Sequence, residues 1–345
     1  MDASIGWRAA APLYHRYFTG LLLTVVTRRS AADAGELTFR LFRKQHHEKF
    51  LGSLAKLGLD GLPDPVKAAG YHYLSNRIGG VNVEFVRESD AKAWVHFVPP
   101  RWIYDGAAIC GIPSEVSRGV LRGWYAQNGP SLGNPRLGFV CCQQTTDGQP
   151  GLSGYFLEHD RDLAPEERLR FSPGELPPRF DPAAAPELDE AAWTPERLAK
   201  ANRNYAMEYV RNALPILAEI FGPAEAAHLG RITGRLIGMQ FYAEIAALLD
   251  VEPGAEGFAR LMAALAAGQD DAVEVDGAVV RQTSWRLMRG VPNLPDSVFE
   301  AWNGLLEGLL AVHDRFLVLD VRRRLDRGDA AFEWEIRPRG PAGAY

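Results

Sequence analysis

The 345-residue sequence contains three cysteines, Cys110, Cys141 and Cys142, too few for a disulfide framework. Cys141 and Cys142 are neighbours, and a bridge between adjacent cysteines is strained, so a reducing cytoplasm is the expected setting. Long hydrophobic runs are missing too. The most apolar stretch, Tyr17 to Val26, has half of the roughly 20 residues that cross a bilayer. No small-residue cleavage site follows it, so it reads as a buried helix of a soluble protein with no membrane partner. Nor is there an excess of one charge: 38 Lys and Arg stand against 43 Asp and Glu, a net of -5, with both signs mixed along the chain. Nucleic-acid binders concentrate their basic residues on one face, so no nucleic-acid partner is expected. The densest basic run, Arg322-Arg323-Arg324, is followed by Asp326 and Asp329 and reads as a solvated face. The chain has no P-loop, no GxGxxG after a strand, no GxSxG elbow and no HExxH. These absences weigh against nucleotide, dinucleotide, serine-hydrolase and zinc-protease chemistry, and neither a cofactor nor a metal is expected.

Hydrophobic residues make up 47% of the chain and charged residues 23%, enough for a packed core, and the length allows two lobes. Helical spacing runs through residues 8 to 60, with Leu37, Leu41, Phe50, Leu51, Leu54 and Leu57 three or four apart. Alternation over residues 81 to 86 and 93 to 98 gives two strands. Ser114 reads as the N-cap of a helix reaching about Gln127, and a hairpin follows around Asp147-Gly148. Prolines and acidic residues crowd residues 161 to 195, which read as a linker. Long helices follow from Pro195, then strands at residues 278 to 283 and 285 to 288, a helix from Pro295, and a last hairpin around residues 326 to 328.

The element order is the same in both halves: helices, two strands, a helix, a hairpin. Phe85-Val86-Arg87-Glu88-Ser89 is matched by Val279-Val280-Arg281-Gln282-Thr283, and the helix with Trp124 by the helix with Trp302. The expected fold is α+β, an internal duplication giving two similar lobes, each with helices packed on a small antiparallel sheet. Residues 1–160 would form the first lobe, 161–195 the linker and 196–345 the second lobe, with a ligand cleft between lobes.

Recognition-type side chains are densest between Tyr71 and Asn128. His72 and Asp105 are candidates for moving a proton. Arg77 and Arg101 can hold a carboxylate, Arg101 through two parallel hydrogen bonds, while Trp102 and Tyr104 can wall a planar ring. Cys110 precedes a helix start, where a thiol is activated as a nucleophile; the alternative is a small packing residue. In the second half Arg231 and Arg235 are one helical turn apart and share a face, presenting two positive charges to a ligand or pairing with acidic residues. Glu225 and His228 have the i, i+3 spacing of di-iron bundles, but no second copy of the pair appears.

The closing stretch Arg327-Gly328-Asp329-Ala330-Ala331-Phe332-Glu333-Trp334-Glu335-Ile336-Arg337 resembles the last hairpin of the 4-vinyl-reductase-like small-ligand-binding domains and of the L-2-amino-thiazoline-4-carboxylic acid hydrolase-like proteins. The glycine-spaced segment Gly230 to Gly238 is similar to a helix of the same domains. The resemblance covers about residues 225 to 339 and implies a cleft for a small organic molecule. Those families often carry a cysteine where this chain has Ala330 and Ala331, which speaks against a metal-binding reading. The expectation is a cofactor-independent enzyme acting on a small carboxylate-bearing or heterocyclic compound, with C–N bond hydrolysis as its reaction. The alternative is a non-catalytic sensor or carrier for a small hydrophobic ligand. A small molecule is thus the expected partner, and a homodimer stays open.

Overall fold

The structure, a computed structural model, describes residues 3–340. These fold into two compact units whose boundaries fall inside two long helices. Helix α1 (Ala3–Arg28) leaves one unit at Thr24, and residues Val25–Tyr205 make the other. From Ala206 onward the chain rejoins the unit that holds the first helix. Among the described residues no helix is long and apolar enough to cross a membrane.

The Val25–Tyr205 unit begins with α2 (Ala31–Leu54), whose first turn is capped by Ser30 accepting from the Asp33 N–H at 3.0 Å. Its buried face is Ala34, Leu37, Leu41, Phe50 and Leu54, the spacing of an amphipathic helix. Next come α3 (Asp64–Ile78), β1 (Val83–Arg87), β2 (Lys92–Phe97), α4 (Ser114–Gly123), α5 (Asn128–Leu132), β3 (Leu137–Gln143), β4 (Leu152–Glu158) and β5 (Leu169–Phe171). The sheet order is β1-β2-β4-β3-β5, antiparallel except for the parallel pair β3 and β5. Residues 161–195, expected as a linker, therefore contribute a strand to this unit. Because β5 covers its edge, β3 is buried along its whole length. Cys141 and Cys142 fall in separate clusters, as neighbours on opposite faces of a strand must. Helices α2 and α4 cross at glycines: a Cβ added to Gly119 would lie 2.4 Å from the Gly35 carbonyl oxygen.

Helix α6 (Pro195–Phe221) carries the chain into the second unit, followed by α7 (Pro223–Leu249), α8 (Gly254–Gly268), β6 (Val273–Asp276), β7 (Val279–Gln282), α9 (Asp296–His313), β8 (Leu317–Arg323) and β9 (Phe332–Pro338). Its sheet is antiparallel in the order β6-β7-β9-β8. Helices α7 and α9 approach backbone to backbone, since a Cβ on Gly234 would lie 2.6 Å from the Leu305 nitrogen. Only glycine leaves room for that approach. Trp334 and Phe332, both with no exposure, anchor the core beneath α9, and the Trp334 indole N–H donates to Asn303 Oδ1 at 2.9 Å.

The α+β class holds, with two small sheets among helices. The final hairpins of the two units also agree in detail. Each has a register shift at the end of its first strand, at Cys141/Gln143 and at Val321/Arg323. Each then makes one 3-10 turn that ends on a left-handed glycine, Gly148 (φ 77°) and Gly328 (φ 94°).

Three local expectations are corrected. Residues 285–288 are not a strand. The hairpin is β6 with β7, turning at Gly277, and Arg286–Met288 is a 3-10 turn held because Asp271 Oδ1 accepts from the Arg286 N–H at 2.7 Å. Ser114 does not cap α4; its hydroxyl donates to Asp147 instead. Arg324 is not a solvated residue. It is 7% exposed, its guanidinium lies 4.1 Å from the Phe299 ring centre, and Asp326, Asp296 and Glu300 surround it.

Candidate functional site

His72, Arg77, Arg101, Trp102, Tyr104, Asp105 and Cys110 all lie in the Val25–Tyr205 unit, and Arg231 and Arg235 lie in the other. His72 is 3% exposed. Its ring stacks on Tyr125 at 4.0 Å and on Phe156 at 5.5 Å, and its Nε2 meets the Asn128 amide nitrogen at 3.1 Å. Burial holds the ring well below the ordinary histidine pKa, and nearby His46 lowers it further. It is thus a neutral ring inside an aromatic core. Arg77 donates to the Tyr73 hydroxyl one turn back on α3. Arg101 lies over Phe97 and Tyr104, at 4.6 and 5.5 Å from the ring centres, with its Nε buried and without a partner. Burial raises the Tyr104 pKa, partly offset by the Arg101 charge, and Trp102 packs against the same core. Asp105 and Cys110 are exposed. Arg101 also acts electrostatically on Tyr125, the ring stacked on His72, so Tyr125 is the residue common to the two segments.

Arg231 Nε and Arg235 Nη1 both donate to Glu307 Oε2, each at 2.9 Å. The Glu307 bond raises the Arg231 pKa. The two arginines line a shallow surface depression with His228 and Glu300, where an incoming anion would compete with Glu307.

A more enclosed pocket lies inside the unit that contains α1, α8, β7 and α9. Ala10, Leu13, Met262, Leu265, Ala266, Val280, Leu305 and Leu306 form its apolar wall, and Tyr14, Gln269, Gln282 and Trp302 supply its polar atoms. Its volume is ≈ 30 Å³, or ≈ 460 Å³ of unfilled space when its open mouth is included. The smaller figure is room for a few waters or for the head group of a ligand. Every residue of the lining is uncharged. The Tyr14 hydroxyl donates to Gln269 Oε1 at 2.5 Å and receives a long contact from Trp302 Nε1 at 3.4 Å. The Gln269 amide nitrogen donates to the Leu265 carbonyl at 3.0 Å, and the Gln282 amide nitrogen to the Ser284 carbonyl at 2.8 Å. Burial raises the Tyr14 pKa, so the phenol stays protonated.

Asp271 stands behind this lining. It is 7% exposed, and its Oδ1 accepts from the Ser284 hydroxyl and from the Arg286 N–H, both at 2.7 Å. Its Oδ2 is buried without a partner, as is the indole nitrogen of Trp285. Trp285 packs on the pocket residue Trp302 at 5.0 Å. Desolvation pushes the Asp271 carboxyl up to about 6, against the opposing pull of those two hydrogen bonds and of Arg289 and Arg286. A buried carboxyl that titrates near neutrality, next to a pocket, is a mark of functional sites. Asp271 also fixes the pocket indirectly, since it holds Ser284, whose carbonyl orients the Gln282 amide. Among the described residues no group of three or more His, Cys, Asp or Glu is placed to hold a metal ion.

Tyr14, Gln269, Asp271 and Gln282 were not among the sequence candidates. The signal present in the sequence is the polar run Gln269-Asp270-Asp271 directly after the apolar stretch of α8. Comparison with protein-family models, with curated proteins and with solved structures finds no match to this chain.

Proposed function

We propose that the chain binds a small, uncharged and largely apolar molecule in the pocket between α1, α8, β7 and α9. The observation that carries this reading is the composition of the wall: eight apolar residues and four neutral polar ones, with no ionised side chain. A carboxylate would be desolvated there with no cation to balance it, at a cost of several kcal/mol, so a neutral ligand fits better than an acid. Burying apolar ligand surface supplies the driving force, at about 25 cal/mol per Å².

Native mass spectrometry of the purified chain tests this. The expected result is one retained small molecule per chain, lost in Ala266→Trp, which fills the pocket. A ligand retained equally by both proteins would place binding elsewhere and remove the proposal.

Hydrolysis of a C–N bond draws support from one feature, Asp271, whose raised carboxyl suits general acid–base work. Turnover of a neutral amide that is abolished in Asp271→Asn, with binding kept, would favour it. The shared strand order and matching hairpins support descent of both units from one duplicated element, with the ligand pocket kept in one of them. A reducing cytoplasm remains the proposed setting.

A further inference from the structure

The hydrogen bonds inside the pocket restrict which polar group its ligand can carry, an inference that rests on the proposed pocket. A backbone carbonyl accepts only from a donor, so the Gln282 atom that faces the Ser284 carbonyl must be the amide nitrogen. The Gln282 oxygen therefore points elsewhere. Among the described residues the only side-chain hydrogen bond of Gln282 is the one from the nitrogen, so the oxygen is open to an incoming donor on a residue that lines the pocket. The same logic fixes Gln269, because its nitrogen is held by the Leu265 carbonyl. Its oxygen must then take the Tyr14 hydroxyl hydrogen. With that hydrogen spent, Tyr14 offers only its oxygen, engaged solely by the long Trp302 contact. Two oxygen acceptors, on Tyr14 and Gln282, are thus left on the wall, each locked by a neighbour that is itself tied to backbone.

We infer that the ligand is a neutral hydrogen-bond donor with an apolar body, of the phenol or alcohol class, whose hydroxyl donates to Gln282 Oε1 or Tyr14 Oη. A group that can only accept, such as an ether, would cover both oxygens without supplying a hydrogen, the costly case for polar burial.

Isothermal titration of the full chain at pH 7 with phenol and with anisole tests this, because anisole keeps the ring and lacks the donor. Phenol is expected to bind about tenfold more tightly, the size of one net hydrogen bond. In Gln282→Met and in Tyr14→Phe the preference should narrow, with anisole affinity little changed. Equal affinities for phenol and anisole in the wild-type chain would overturn the donor assignment while leaving the apolar pocket intact. Binding of neither compound would overturn both. The wild-type comparison decides the matter even if a variant fails to fold.

Discussion

The Val25–Tyr205 unit should lose stability steeply between pH 7 and pH 5, because it buries two neutral histidines. His46 is 1% exposed, stacked on Phe50 at 4.8 Å, with its Nε2 at 2.8 Å from the Ser131 hydroxyl. Burial pulls its pKa down to about 3, helped by the charges of Arg43 and His47. His72 is lowered by the same desolvation. The folded values lie below the unfolded value of about 6.5, so stability is whole above that pH and drains away as the pH falls toward the folded pKa. From pH 7 to pH 5 an unfolded histidine takes up about 0.7 of a proton that the buried ring refuses. That costs about 2 kcal/mol for His46, with its folded value of about 3, and His72 adds a loss of the same sign. For a unit of this size the midpoint should fall by about 4–8 °C from His46 alone, and further with His72. Glu88, Asp296 and Glu333, held low chiefly by bonds from Trp94, Arg327 and Arg281, release their stability at lower pH. Burial also shifts His96 and His159 of the same unit and His15 of the other downward, which adds to the drop, while Asp271 of the other unit opposes it. Thermal unfolding by circular dichroism at both pH values gives the total. Hydrogen exchange of α2 and α3 amides assigns it to this unit. A midpoint that does not move, or an equal drop in the His46→Gln/His72→Gln double variant, would refute the reasoning.

Other perturbations have definite signs. Asp271 has a folded pKa of about 6 against 3.8 unfolded, so its contribution is complete below the unfolded value and is lost as pH rises through 6. Asp271→Asn should raise stability at pH 8 by up to about 3 kcal/mol and leave it nearly unchanged at pH 4, measured by urea unfolding. Gly234→Ala should destabilise by about 2 kcal/mol or more, because the new methyl meets α9 backbone at 2.6–3.0 Å. Gly52→Ala, in α2 with nothing within 4 Å, should stabilise by about 0.5–1 kcal/mol. Arg324→Met strands the Asp326 carboxylate, whose side chain is 2% exposed, and should cost about 3–5 kcal/mol. Arg322→Met, at a half-exposed ion pair, should cost no more than about 1 kcal/mol in the same assay.

The helices and most strands were legible because their burial patterns repeat locally. The leucines of α2, the alternation in β1 and β2, and the glycines at the hairpin turns each state their geometry within a few residues. Trp285 to Met288 misled for the complementary reason: an aromatic and aliphatic run reads as a strand, and what bends it is a carboxylate fourteen residues upstream of Trp285. The pocket was harder still. Tyr14 and Gln269 are 255 positions apart, and each is unremarkable where it stands, one on an apolar helix and the other at a helix end. Local density instead drew attention to Arg101, Trp102 and Tyr104, a cluster whose aromatic members are partly or wholly buried in the core of their own unit.

On the proposed duplication, the reason for a pocket in one unit can be read from single positions. Gln282 pairs with Phe332 in the β7–β9 ladder, and the step that corresponds in the other sheet is Phe97 with Leu152. The strand order sets β7 against β2, not against β1, where the match of residues 85–89 with 279–283 puts it. Phe97 is 1% exposed and belongs to a continuous apolar core, so a ring stands where the other unit has an amide. On the same proposed duplication, Tyr205 and Gly79 would be the counterparts of Tyr14 and Gln269. The Tyr205 hydroxyl also donates to an amide oxygen, that of Asn76 at 3.1 Å. Its ring, however, lies where a Cβ on Gly79 would be, 2.5 Å away, and occupies the space that a side chain at that position would otherwise take. On that proposed correspondence, two exchanges, amide for ring on the strand and glutamine for glycine at the helix end, would distinguish the packed core at this place from the lined pocket. Gln282→Phe should therefore fill the pocket, abolish phenol binding and raise the melting temperature. A variant that binds phenol as before would show that the strand position does not control the pocket.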